Sequence, residues 1–200
     1  FYISYIHGQL DALPIFFLFA FLYFLFKEKD YTAFIFLGLA IATKVGIVIV
    51  LPFVALYLLK ERTNKSASII KLAIPVFIFL TLHITKLFDT AFVEMVLTTK
   101  EGLKVFDLAF PYSENLFIFV LPVAFAGLLF KFSTYKKYSR DLFMVFLGFS
   151  FFTLTLLIPP QPGWYFWVIP FAVYFYVRGN EYQRILYYGL TVAYFLYFAL

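Results

Sequence analysis

The 200-residue chain contains no cysteine, and only 14% of its residues are charged. The first absence excludes disulfide staples and thiolate metal sites, while saying little about compartment. The second excludes an ordinary soluble domain, in which about a quarter of residues carry charge. Strict polar–apolar alternation over segments of about ten residues is also missing, which excludes a transmembrane β-barrel. No His-x-x-x-His spacing occurs, so no metal ligands are assigned, and dependence on a divalent metal stays open. The chain has neither an initiator Met nor a basic stretch followed by a small-residue cleavage site, so no signal peptide is recognisable. The expectation is a fragment of a longer protein, lacking its N-terminal spans.

What is present is apolar: 64% hydrophobic residues, 24% aromatic residues and a mean hydropathy of +0.93. These residues come in blocks separated by short charged punctuation, the pattern of helices that cross hydrocarbon. The expected fold is therefore an all-α, multi-pass membrane protein, a single polytopic domain over residues 1–200. The bilayer is its first partner. The net charge of +5 belongs to the loops between spans and does not point to nucleic acid.

Eight transmembrane helices are expected, near 10–26, 31–43, 46–59, 69–84, 116–130, 142–158, 165–177 and from 185 to the end. The block 31–59 decides the count. As one helix of about 29 residues it would be ~43 Å long, against ~30 Å of hydrocarbon. Splitting it at Lys44 gives eight spans; one kinked helix gives seven. The abundant Phe residues are read as lipid-facing or packing bulk. Residues 87–115 carry several charges and read as an extracytoplasmic loop with a short interfacial helix. Alternating sides leaves Lys44, Lys86, Lys100 and Lys104 on one face, and the other twelve of the sixteen basic residues opposite them. The richer side is cytoplasmic by the positive-inside rule. The expected setting is a prokaryotic plasma membrane, with the unusual polar residues gathered on the non-cytoplasmic face.

Those residues begin with His7-Gly8-Gln9-Leu10-Asp11-Ala12-Leu13-Pro14. A carboxylate at the lip of a span costs several kcal/mol unless it is solvated or paired. With His7 and Gln9, Asp11 supplies an acid–base group, an amide and an anion, a set that suits a hydroxylated substrate such as a sugar. The plain alternative is that Asp11 caps the helix start. Lys44 has no acidic neighbour in local sequence, so it faces either a water-filled cavity or an anionic ligand such as a phosphate; the plain alternative is a lysine reaching the interface. The stretch 159–164, with three prolines, Gln161 and Trp164, is a stiff turn leading into Tyr165-Phe166-Trp167. The interfacial aromatic belt is the default for its tryptophans. His83 and Lys86 share a helix face and could border the same cavity.

Four stretches together carry a resemblance. Ser4-Tyr5-Ile6-His7-Gly8-Gln9-Leu10-Asp11 resembles the S-x-x-x-G-Q-x-D stretch of polytopic C-type-fold glycosyltransferases that use polyprenyl-phosphate sugars. Lys44 to Pro52 is similar to their K-x₇-P segment. Ser113-Glu114-Asn115-Leu116-Phe117 resembles their S-x-N-L-W element, with Phe117 in place of Trp. Pro160-Gln161-Pro162-Gly163-Trp164-Tyr165-Phe166-Trp167-Val168-Ile169-Pro170 is similar to their P-Q-x-x-W-Y-x-W-x-x-P ending. All four follow the same order as in that family.

The resemblance implies an inverting hexosyltransferase, a mannosyltransferase among the options. It would take its sugar from a polyprenyl-phosphate donor and pass it to a glycan, lipid or protein acceptor. It implies that Lys44 contacts donor phosphate, and that His7, Gln9, Asp11, Asn115, Gln161, Trp164 and Tyr165 bind substrate. It also implies a catalytic aspartate upstream of Phe1, with Asp11 as the substitute within the chain. The rival readings are a secondary transporter and a non-catalytic membrane subunit of envelope polysaccharide assembly.

Overall fold

The computed structural model of the chain describes residues 10–62, 64–158 and 162–199. It is mostly helical, 79%, and all-α in class. The first four helices are α1 (Ala12–Phe26), α2 (Asp30–Thr43), α3 (Leu51–Glu61) and α4 (Lys65–His83), with α2 packed between α1 and α4. A 3-10 segment, Val45–Val50, joins α2 to α3. Short helical turns follow, α5 (Thr90–Phe92) running into a π turn and α6 (Lys100–Leu103) into a 3-10 turn. Strands β1 (Ala109–Ser113) and β2 (Leu116–Phe119) then make an antiparallel hairpin. The chain ends in α7 (Val120–Thr134), α8 (Arg140–Leu157), a 3-10 turn Pro162–Trp167, α9 (Ile169–Arg178) and α10 (Glu181–Ala199).

Helix α1 buries Leu18, Phe21, Leu22 and Leu25, and α2 buries Ala33, Phe34, Leu37, Ala40 and Ile41. Both sets repeat at three- and four-residue steps, so each forms one stripe, and the two stripes face each other. Helix α4 lies against α2 at Gly38, where an added Cβ would stand 2.8 Å from Ile78 Cδ1 and 3.1 Å from Pro75 Cα. Only a glycine admits that approach. Phenylalanine fills much of the interior: Phe53, Phe132, Phe143, Phe151 and Phe171 are fully buried. The Phe132 ring stacks on Tyr138 at 4.1 Å between centroids.

Polar residues set the ends of these helices. Asn64 Oδ1 accepts from Ala67 N–H at the start of α4, and Ser139 Oγ accepts from Leu142 N–H at the start of α8. At α10, Asn180 and Gln183 exchange side-chain-to-backbone bonds in a reciprocal capping box. The end of α1 closes in a Schellman arrangement, Lys29 N–H on Phe24 O and Glu28 N–H on Leu25 O. Glu28 occupies the left-handed position, φ 61°, that usually falls to glycine.

The chain reverses at Lys44, within the 31–59 block. Arg62, just past α3, returns to the start of α2 and places Nη2 2.9 Å from Asp30 Oδ1. Lys71 of α4 reaches the other oxygen at 2.6 Å. Burial opposes the charge on Arg62, but the hydrogen bond and charge of Asp30 outweigh it and hold the guanidinium above its ordinary pKa. Lys60 donates to the carbonyls of Ser133 and Tyr135, and Arg140 donates to that of Phe26. Lys60, Arg62, Lys71 and Arg140 thus tie α1, α2, α3, α4 and the link between α7 and α8 together at one end.

Other expectations fail. Eight spans are not supported, because among the described residues only α4 and α8 are long and apolar enough to cross a membrane. At 15 and 14 residues, α1 and α2 are about 21–23 Å long, short of a ~30 Å core. The span expected near 116–130 begins instead as a strand, and its helix runs from Val120 to Thr134. In place of one interfacial helix, 87–115 holds short helical turns and β1. Exchange of backbone bonds with β2 competes there with helix formation, and the aromatic residues Phe110, Tyr112, Phe117 and Phe119 favour the pleated form.

Candidate functional site

An ion pair joins Asp11, at the start of α1, to Lys44, just past the end of α2. Oδ1 of Asp11 lies 3.2 Å from Nζ of Lys44. Asp11 occupies the N-cap position of α1, yet its side chain makes no capping bond. The local sequence explains why. A capping oxygen takes the N–H of the second or third helical residue. Here the third is Pro14, which has none, and the second, Leu13, donates to the carbonyl of Leu10 at 3.1 Å. The carboxylate is therefore free to turn towards Lys44, although the residue is only 5% exposed.

Lys44 is delivered by the end of α2. Thr43 Oγ1 bonds back to the carbonyls of Leu39 and Ala40 at 3.0 and 2.9 Å, which holds its hydroxyl against the last turn of α2. Lys44 then adopts an extended backbone, φ −152° and ψ 106°. Its side chain remains 42% exposed. His83 of α4 steadies the same helix end, its Nε2 lying 3.0 Å from the carbonyl oxygen of Ala42. That carbonyl is one of the last four of α2, so His83 acts as a C-terminal cap.

The stiff turn supplies the aromatic wall. In a 3-10 helix residues three apart eclipse, so Trp164 and Trp167 within Pro162–Trp167 lie nearly parallel, 18° apart with centroids 6.2 Å from each other. Trp167 is buried, packs edge-on to Phe151, and places its ring centroid 5.6 Å from Lys44 Nζ. Gly46 makes this approach possible, since an added Cβ would meet Trp167 Cη2 at 2.8 Å. The indole Nε1 of Trp167 is buried without a hydrogen-bond partner among the described residues. Trp164 borders a cavity of about 350 Å³, with Asp11, Thr43 and Lys44 as its polar wall and Leu10, Leu13 and Pro14 as its apolar one.

Of the residues singled out from the sequence, Asp11, Lys44 and Trp164 come together around this cavity. Lys44 is not the unpaired cation that its local sequence suggests. Asn115 lies on the exposed tip of the β1–β2 hairpin and Tyr165 stacks on Tyr194 at 4.1 Å; neither borders the cavity. His83 also stays behind its wall. His7, Gln9 and Gln161 lie outside the described residues. Thr43 and Trp167 were not expected as site residues. The signal for Trp167 was the Trp-x-x-Trp spacing after Pro162, which becomes a stacked pair only if the turn is 3-10.

Chemically, the site offers one ammonium group, one carboxylate, a hydroxyl and an indole face. That set can hold an anionic group beside a flat or hydroxylated one. Among the described residues no group of three His, Asp or Glu side chains is placed to bind a metal ion. The chain matches no family model, no curated protein and no solved structure.

Proposed function

We propose that the chain belongs to an integral membrane glycosyltransferase of the C-type-fold, polyprenyl-phosphate-sugar-using class. It transfers a hexose to an acceptor hydroxyl at the non-cytoplasmic face. The observation that carries this reading is the meeting of Asp11, Lys44 and Trp164, three residues from separate stretches of the resemblance, around one cavity. Two further features support a bilayer setting. Helix α4 is apolar yet only 11% of its most apolar window is buried, and Phe77 on it is 70% exposed. An apolar helix uncovered to that degree suits lipid better than water.

In this reading Lys44 binds the donor phosphate as a point charge, and Trp164 presents an aromatic face to the sugar. The acceptor oxygen attacks the anomeric carbon as the bond from that carbon to the phosphate oxygen breaks, with inversion. The acceptor proton passes to a base and the electron pair leaves with the polyprenyl phosphate. Lys44 stabilises the charge that grows on that leaving oxygen. Held by Lys44, Asp11 is poorly suited to proton abstraction.

The test is transfer from a polyprenyl-phosphate sugar by the full-length protein in membranes. Lys44→Ala is expected to lower kcat about 100-fold, comparable to loss of one oxyanion donor. Wild-type rates at saturating lipid donor would overturn the assignment. Solute flux across liposomes without consumption of the donor would favour a transporter instead.

A further inference from the structure

We propose that Asp11 is a built-in occupant of the anion site: it competes with the ligand's phosphate for Lys44, so the cavity rests masked and opens by exchange. The inference depends on the reading of Lys44 as the phosphate-binding group.

Among the described residues that border the cavity the charges balance. Its bordering residues carry one cation, Lys44, and one anion, Asp11. An approaching phosphate therefore has to compete with that carboxylate for the ammonium. The ammonium is flanked by the Asp11 oxygen at 3.2 Å and by the Trp167 ring at 5.6 Å. The indole face cannot be displaced easily, because Trp167 is wedged between Gly46, Phe151 and Trp164. Lys44 is the movable partner, since its side chain is 42% exposed against 6% for that of Asp11, so the ammonium can turn from the fixed carboxylate towards a ligand. Two anions close to one ammonium repel each other, which makes the binding competitive rather than additive.

A purely structural ion pair would behave in the opposite way. If Asp11 served to aim Lys44 at the ligand, removing its charge would weaken binding. If it masks Lys44, removing its charge strengthens binding, by about five-fold for a pair of this exposure.

The experiment uses the full-length protein in nanodiscs of phosphatidylcholine, titrated calorimetrically with inorganic phosphate and, separately, with farnesyl phosphate. Asp11→Asn is expected to bind the anion about five-fold more tightly than wild type, Asp11→Glu as wild type, and Lys44→Met not measurably. Tighter binding of farnesyl phosphate than of inorganic phosphate identifies a lipid-linked ligand. Weaker or equal binding by Asp11→Asn, with Lys44→Met still inactive, overturns masking and leaves the phosphate site standing. Unchanged binding by Lys44→Met overturns both. A second measurement needs no variant of Asp11. Infrared difference spectra of wild-type protein with carboxyl-labelled aspartate should show a shifted carboxylate band on saturation with phosphate. No shift overturns masking.

Discussion

Trp167 lies so close over Gly46 that an added Cβ there would stand 2.8 Å from Cη2 of the indole. This contact places the ring against Lys44 and links the 3-10 segment after α2 to the turn before α9. Gly46→Ala is expected to force the indole aside and destabilise the fold by about 1–3 kcal/mol, the usual range for overpacking. Thermal melting and near-ultraviolet circular dichroism check it, the second because the Trp164–Trp167 stack should lose its fixed geometry.

Glu28 should be replaceable with profit to stability. A non-glycine residue in the left-handed region costs about 1–2 kcal/mol, partly offset by the greater freedom glycine has when unfolded. The pair with Arg62, at 3.5 Å and with Glu28 78% exposed, contributes little. Glu28→Gly is expected to stabilise the protein by about 0.5–1 kcal/mol, read as a raised Tm in detergent.

At the same end, Asp30 is the only carboxylate bridging Arg62 and Lys71 among the described residues. Asp30→Asn leaves two cations side by side in a largely buried setting. A loss of about 3 kcal/mol is expected, the low end for removing one member of a buried pair. Asp30→Asn combined with Lys71→Met should recover part of it. A double-mutant cycle on unfolding free energies measures that recovery, and strict additivity would rule out the coupling.

Trp164 has a different role from Trp167, being half-buried at the cavity rather than wedged beneath it. Trp164→Ala should raise KM for a lipid-linked sugar more than it lowers kcat, with little loss of stability. Trp167→Ala should lower stability by about 3–5 kcal/mol, as large aromatic deletions in cores do. Steady-state kinetics beside melting curves separate the two.

The reversal at Lys44 left a mark in the sequence, a lone cation followed by Gly46 inside an otherwise apolar block of about 29 residues. The Asp11–Lys44 pair left none. Each residue is isolated among apolar neighbours, and the partner of each becomes visible only once α1 and α2 pack. Apolar composition also overstated the number of spans, since it cannot say where a helix ends. Helix α2 stops at Thr43 inside an apolar block, and β2 pairs with β1 before α7 begins. The hairpin did leave a trace: a two-residue Glu114-Asn115 link between runs of aromatic and aliphatic residues. Tyr165 illustrates another limit, because its direction depends on α10, which comes later in the chain.

Helix α2 is tied at both extremities, by Asp30 to Arg62 and Lys71 and, one residue past Thr43, by Lys44 to Asp11. It thereby behaves as a gauge block whose length is a residue count. A slide of one turn, ~5.4 Å, would undo both fastenings together, so the two ends cannot drift separately. Inserting a single residue between them turns one fastening by about 100° relative to the other. The chain would then have to keep one and abandon its counterpart. The separation between the cavity and the basic end is thus written into the fourteen residues of α2, which makes that helix far less tolerant of insertion than of substitution.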